Sequence, residues 1–124
     1  SDNVVRGGLT KKHIDIPELL NIVNFRSHRI KIILPVKKRN EYIYKTPARE
    51  FILSKISVDS GRTYVGSQRR NAEIILCIEG GAVIAGSEDD KLNMAKGKSV
   101  VIPASVKKYN ISGKATLYKA AVPS

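Results

Sequence analysis

The sequence predicts an all-β domain, a sandwich or jelly-roll barrel, preceded by a loop and one short helix. From about residue 29 onward, short runs rich in Val, Ile and Leu alternate with Gly, Asp, Asn and Pro at intervals of about 8–12 residues. Helix signals occur in one segment only, before that point. A chain of 124 residues can form one domain with a core of its own.

The helix is predicted over residues 15–23. Asp15 is a favourable N-cap, Pro17 falls in the first turn, and Glu18 completes a capping box. Apolar residues at helical spacing provide one apolar face: Leu19, Ile22 and Val23.

Short apolar runs between turn residues predict the strands. In chain order these are 30–34, 42–44, 51–58, 73–78, 82–85, 92–94, 99–102, 106–111 and 115–122. Turns are predicted at 79–81 and 87–90. We place the boundary near residue 28, so that residues 1–28 form the loop and helix and residues 29–124 form the barrel.

The chain has one cysteine, Cys77, which excludes a disulfide framework. Because Cys77 lies in an apolar run, it is predicted to be a buried, unreactive thiol. No apolar run approaches the roughly 20 residues that a membrane helix needs. The only methionine is Met94, so we expect the chain to be a piece of a longer polypeptide. We expect no signal or transit segment and a cytoplasmic location.

The charge is strongly basic, with 22 Lys and Arg against 11 Asp and Glu. The basic residues are spread evenly, nine in 1–40, six in 41–80 and seven in 81–124, and the short basic runs at 37–39, 69–70 and 107–108 are not interleaved with aromatic residues. This spread favours a solvated basic surface over a nucleic-acid interface. A third reading is that a few of these cations bind an anionic small substrate.

The second half resembles the cupin superfamily of β-barrels. Gly97 and Pro103 match the second cupin motif, in which a turn glycine begins a strand and a proline ends it. Glu73 and Gly80 match the tail of the first motif. A cupin-like jelly-roll barrel is therefore expected over residues 29–124.

The positions at which metal-binding cupins carry their ligands are altered here. The first-motif histidines fall among residues 66–69, and the second-motif histidine falls on Lys108, whose ammonium cannot ligate a metal. Glu73 is then expected to be structural or on the surface. His13 and His28 are expected to be ordinary surface or packing residues, and the barrel is expected to be metal-free.

The first twenty residues read Ser-Asp-Asn, two residues, Arg6, a small residue, Gly-Leu-Thr, one residue, Lys12, and then an Ile-Asp-Ile-Pro helix start. This contiguous pattern resembles the signature segment of type I mannose-6-phosphate isomerases. Segments 44–51, 97–104 and 112–120 resemble later parts of the same family more loosely.

The resemblance implies a zinc-dependent isomerase that interconverts mannose 6-phosphate and fructose 6-phosphate through an enediol. In that family a preceding N-terminal cupin domain holds the zinc, so this chain would be the C-terminal part, without zinc and inactive alone. Its partners would be that domain and a sugar phosphate.

The resemblance also implies roles for individual residues. Arg6 would be a catalytic cation near the reacting carbons or the phosphate, and Lys12 would be a weaker substrate-binding cation on the phosphate side. Asp2 and Asn3 are expected to shape the loop, and Asp15 to cap the helix.

Two other classes of function remain open from the residues alone. One is a free-standing, non-enzymatic cupin-like binding or interaction module. The other is a basic β domain that binds nucleic acid, which would bind with a steep dependence on salt.

Overall fold

The computed structural model describes residues 4–86 and 90–123. The chain divides into two compact units, Ser1–Lys31 and Ile32–Ser124. In the described residues it forms a helix and eight strands: α1 (Ile16–Ile22), β1 (Val36–Lys38), β2 (Glu41–Tyr44), β3 (Ile52–Val58), β4 (Tyr64–Val65), β5 (Glu73–Ala85), β6 (Lys91–Ala95), β7 (Ser99–Ile102) and β8 (Asn110–Ala121). The predicted all-β class with one short helix is confirmed.

The predicted helix start is confirmed. The side chain of Asp15 accepts a 3.0 Å hydrogen bond from the N–H of Glu18, as an N-cap does. The predicted apolar face of α1 is present, but none of its residues is buried, and Ile22 is 58% exposed. No helix in the described ranges is long and apolar enough to cross a membrane.

Two long antiparallel strands, β5 and β8, form the centre of the sheet. The first half of β5 also pairs with β7, and its second half pairs with β6. In the same way, one end of β8 pairs with β3 and the other with β4. Beyond β3 lie β2 and then β1, which completes the order β1-β2-β3-β8-β5-β6.

The strands share a single hydrophobic core in the second unit. Alternate residues of β3, β5 and β8 are buried, as expected for strands with one face toward a core. The most deeply buried apolar side chains come from these three strands: Ile56, Val58, Ile75, Cys77, Ile111 and Leu117. Because residues from β3 through β8 contribute to one cluster, the sheet wraps around its own core. The predicted burial of Cys77 is confirmed.

The predicted turn at 79–81 is wrong, because β5 continues through it. The register against β8 shifts between Cys77 and Glu79, so this segment is an irregularity within one strand. Gly80 has φ of 73°, and a Cβ there would collide with the main-chain oxygen of Lys114. A glycine that looked like a turn signal instead allows close approach of two strands.

Gly113 has the same role in the opposite strand. We predicted two strands, 106–111 and 115–122, but β8 runs without a break from Asn110 to Ala121. A Cβ at Gly113 would lie 2.6 Å from the Gly81 oxygen, which explains the glycine there.

The predicted strand at 30–34 is also wrong. The hairpin of β1 and β2 pairs Lys38 with Glu41 across a two-residue turn, and this ladder begins only at Val36. Residues 30–34 therefore have no strand partner among the described residues, and Ile30 is largely exposed. The short strands β1 and β4 were not predicted, and the turn predicted at 87–90 lies largely outside the described residues.

Candidate functional site

Arg6 lies in the loop that precedes α1, in the first unit. Its main-chain oxygen accepts a 3.0 Å hydrogen bond from the N–H of Asp15, which holds this part of the loop at the helix N-terminus. Within the described residues the guanidinium donates one hydrogen bond, from Nη1 to the Val4 oxygen at 3.2 Å. A guanidinium carries several N–H donors, so the half-buried Arg6 side chain retains donors for an anionic ligand.

Lys12 lies farther along the same loop. Its N–H donates to Thr10 Oγ1 at 3.1 Å, a local turn contact. Leu9, between Arg6 and Lys12, has φ of 56°, which is unusual for a residue with a side chain. The Lys12 side chain is exposed and makes no ion pair with any residue that the structure describes. Asp2 and Asn3 lie outside the described residues.

A buried group of charged and hydroxyl side chains lies in the second unit, and Lys119 is at its centre. The Lys119 Nζ atom is 2.8 Å from Glu41 Oε1 and 3.4 Å from Glu73 Oε1. It also donates to the Tyr64 hydroxyl oxygen at 2.8 Å. Ser54 Oγ donates to Glu41 Oε1 at 2.6 Å. With only 8% of the Lys119 side chain and 2% of the Glu73 side chain exposed, these charges are paired away from water.

Glu73 makes two further contacts through Oε2. The Tyr109 hydroxyl donates to it at 2.8 Å, and Arg70 Nη1 lies 3.7 Å away. The guanidinium carbon of Arg70 is 5.1 Å from the centre of the Tyr109 ring, a cation–π distance. We call the whole set the ionic cluster: Glu41, Ser54, Tyr64, Arg70, Glu73, Tyr109 and Lys119.

Close packing of Tyr109 depends on Gly66. The N–H of Gly66 donates a hydrogen bond to the main-chain oxygen of Tyr109 at 3.0 Å. A Cβ on Gly66 would collide with the Tyr109 ring. The segment in which cupins carry their first histidines therefore contributes a glycine that admits an aromatic ring.

The electrostatics of the ionic cluster favour the charged state of both partners at its centre. Burial acts to raise the pKa of Glu41, but Lys119, Ser54 and Tyr64 outweigh it and hold that pKa below its ordinary value of 4.5. Burial acts to lower the pKa of Lys119, but Tyr64 and Glu41 outweigh it and raise that pKa. Burial is also the main reason that the pKa of Tyr109 is raised, so its hydroxyl remains a hydrogen-bond donor.

The lowered pKa of Glu41 predicts a loss of stability in acid. A carboxyl with a depressed folded-state pKa contributes stability above its ordinary pKa, and this contribution disappears as the pH falls through the folded-state value. Glu41→Gln should therefore lower the free energy of unfolding near neutral pH. The difference in the free energy of unfolding between Glu41→Gln and wild type should shrink as the pH falls below about 4.5.

Urea unfolding at several pH values measures this difference, with the exposed Glu50→Gln as matched control. A difference that is constant with pH would contradict the expectation.

Several residues singled out in the sequence can now be placed. The expectation that Glu73 is structural or on the surface is correct in its first part only, because the side chain is buried and paired. Lys108 is exposed, and the neighbouring residue Tyr109 enters the cluster instead. His13 and His28 are both exposed, and His28 Nε2 lies 3.2 Å from the side-chain nitrogen of Asn24.

Sequence reasoning missed most of the ionic cluster, although a signal was present. Lys119 follows Ala115 and Leu117 at two-residue spacing, which places it on the inward face of the last strand. Glu73 stands in the same relation to Ile75 and Cys77. Charged residues at inward positions of two paired strands indicate a buried ion pair.

The fold and the cluster define the class of protein, a cupin-type antiparallel barrel with a buried ammonium–carboxylate network. Residues 40–122 match the family model described as "Mannose-6-phosphate isomerase, cupin domain". The chain belongs to this family.

Individual relatives agree with the family match. The mannose-6-phosphate isomerase of Salmonella typhimurium is 36% identical over 115 residues, which cover 91% of this chain and 29% of that enzyme. The human enzyme is 33% identical over 93 residues, covering 70% of this chain and 22% of that enzyme. The crystal structure of the Salmonella enzyme bound to fructose 6-phosphate and zinc superposes with a TM-score of 0.82 at 30% identity, covering 97% of this chain and 30% of that one. The chain thus spans less than a third of the length of these relatives.

The described residues of this chain do not fit a zinc site. They contain no group of three or more His, Cys, Asp and Glu side chains placed to hold a metal. The two carboxylates inside the barrel, Glu41 and Glu73, are bridged by the ammonium of Lys119, which has no lone pair to offer a metal.

Proposed function

We propose that this chain is the C-terminal part of a zinc-dependent mannose-6-phosphate isomerase, which interconverts mannose 6-phosphate and fructose 6-phosphate in the cytoplasm. The observation that carries the proposal is the similarity of nearly the whole chain to under a third of each relative. A sequence match of 91% of the chain is difficult to reconcile with a module that has only the barrel in common with these enzymes.

The proposed organisation assigns residues 1–28 to the catalytic domain and residues 29–124 to a metal-free barrel. The exposure of α1 supports it. A helix of seven residues has little stability of its own, and α1 buries none of its side chains in this chain. A surface supplied by the preceding domain would cover Ile16, Leu20 and Ile22, which are all exposed.

Zinc in the parent enzyme would be held by the preceding domain, and when bound it would polarise the oxygen atoms of the substrate. The residues of this chain would supply fixed positive charge. We assign to Arg6 the stabilisation of the negative charge that develops during proton transfer, or of the phosphate. Lys12 is assigned a contact to the phosphate. Two observations support these assignments. The side chains of Arg6 and Lys12 make few contacts within the described residues, and a main-chain hydrogen bond joins Asp15 to Arg6.

The chain of 124 residues is expected to have no isomerase activity when produced alone. In this proposal the metal-holding domain is separate, and free zinc cannot replace the surroundings that position it. Formation of fructose 6-phosphate from mannose 6-phosphate in zinc-replete buffer measures this, with the full-length enzyme as positive control. Circular dichroism checks that the β-barrel is folded. Turnover by the isolated chain above the no-enzyme background would contradict the proposal.

A further inference from the structure

A cavity of about 610 Å³ in the second unit is lined in part by five members of the ionic cluster: Glu41, Tyr64, Arg70, Glu73 and Lys119. Its volume is in the range typical of small-molecule sites. Its lining includes Lys38, Arg39 and Arg69, three basic residues outside the cluster that are all exposed. Cations from separate parts of the chain therefore meet around one cavity.

The charge balance of this wall is positive. Its carboxylates are Glu41 and Glu73, and both are already paired with Lys119. Lys38, Arg39 and Arg69 make no ion pair with any residue in the ranges 4–86 and 90–123. A concave surface with surplus charge of one sign attracts small ions of the opposite sign.

Arg70 adds a more specific feature. Its side chain is 4% exposed and lines the cavity. Nη1 donates to the Pro103 oxygen at 3.2 Å. Nε and Nη2 are buried and have no hydrogen-bond partner in the described part of the chain. Buried donors without acceptors are costly, and the Nε–Nη2 edge of a guanidinium matches two oxygen atoms of a phosphate or carboxylate group.

The backbone at Arg39 also points to a use for its side chain. Arg39 has φ of 57° at the first position of the two-residue turn between β1 and β2. This conformation favours glycine, and a long side chain there costs stability. The residue at this position is nevertheless an arginine, and it lines the cavity.

We propose that this cavity binds a small molecule through its phosphate or carboxylate group, with Arg70 as the internal donor and Lys38, Arg39 and Arg69 at the rim. The residues that line this cavity include neither Arg6 nor Lys12, the two residues assigned to isomerisation. The proposal therefore does not depend on the isomerase assignment.

Titration of the 124-residue chain followed by ¹H–¹⁵N spectra tests the proposal directly. Inorganic phosphate and citrate are the two probes, and sodium chloride at matched ionic strength is the control. The Nε–H resonance of Arg70, assigned by its loss in Arg70→Lys, should shift saturably with at least one probe, together with the amide of Gly66. Which probe acts distinguishes a phosphate ligand from a carboxylate ligand. Shifts that chloride reproduces, or no shift with either probe, would overturn the proposal.

Rim variants give a second readout. Lys38→Gln should weaken binding of the active probe roughly threefold. Lys37→Gln changes the same charge on the same strand, but Lys37 does not line the cavity and should leave affinity unchanged. Arg39→Gly should weaken binding while raising the melting temperature, because glycine relieves the backbone conformation. Equal losses in Lys37→Gln and Lys38→Gln, or unchanged affinity in Arg39→Gly, would contradict a site in this cavity.

Discussion

Replacing Lys119 by Met is expected to lower the free energy of unfolding by about 3–5 kcal/mol near neutral pH. The ammonium pairs with Glu41 at 2.8 Å and with Glu73 at 3.4 Å, and it is the cation nearest to both carboxylates. Without it, two negative charges would remain close together in a buried place. Methionine has a similar length, so the loss reports charge more than volume. Urea unfolding followed by circular dichroism measures it.

Two further variants separate the effect of the Lys119 charge on stability from the effect of its packing. Lys114→Met alters an exposed lysine on the same strand and should change stability by no more than about 0.5 kcal/mol. Adding Glu41→Gln to Lys119→Met should restore part of the loss, because it removes the carboxylate that paired with Lys119 alone among the described residues, whereas Glu73 still has Arg70 at 3.7 Å. A loss below about 1 kcal/mol for Lys119→Met would contradict the interpretation. So would a double variant that is less stable than Lys119→Met alone.

In the full-length isomerase that we propose, Arg6→Ala should lower kcat by about 10²–10³-fold. A fixed cation beside a developing negative charge acts on the transition state, so turnover should fall more than substrate affinity. The guanidinium donates one hydrogen bond in the described structure, to Val4, so folding stability should change little. Steady-state kinetics and the melting temperature measure the two effects separately.

Three comparisons make the Arg6 result interpretable. Arg26→Ala, an exposed arginine of the same unit, should leave kcat unchanged. Arg6→Lys keeps the charge but loses the planar fork and should give an intermediate rate. The zinc content should be the same in all variants. Wild-type turnover in Arg6→Ala, or a loss of zinc that accounts for the slower rate, would contradict the catalytic role.

The successes and errors in the predicted fold have a common cause. The Asp15 cap and the strand Ser99–Ile102 were correctly predicted because their signals are local, a side chain that accepts a nearby N–H and a Gly97 turn before an apolar run. The prediction of a strand at 30–34 was wrong because a strand requires a hydrogen-bonded partner strand, and the local sequence does not show whether a partner is present. Gly80 and Gly113 were misread for the same reason, since each is required by the strand that crosses it.

The candidate site divides in a similar way. The loop with Arg6 and Lys12 could be proposed from the sequence, because its residues are contiguous and resemble a family segment, and its role in the site stays a prediction. The ionic cluster could not be assembled, because its members come from β2, β3, β4, β5 and β8 and from the segments between strands. The one signal in the sequence was the two-residue spacing that places Lys119 and Glu73 on the inward faces of their strands.

By itself, the sequence determined the all-β class, the helix start, the burial of Cys77 and the resemblance that the family match supports. These depend on periodicity, local hydrogen bonding and contiguous motifs, all of which involve residues that are close together in the sequence. Only the tertiary structure decided that Lys119 bridges Glu41 and Glu73, and that Arg70 lines a cavity with cations at its rim. Pairing of distant strands brings these side chains together, and burial then makes each unpaired charge costly enough to require a partner.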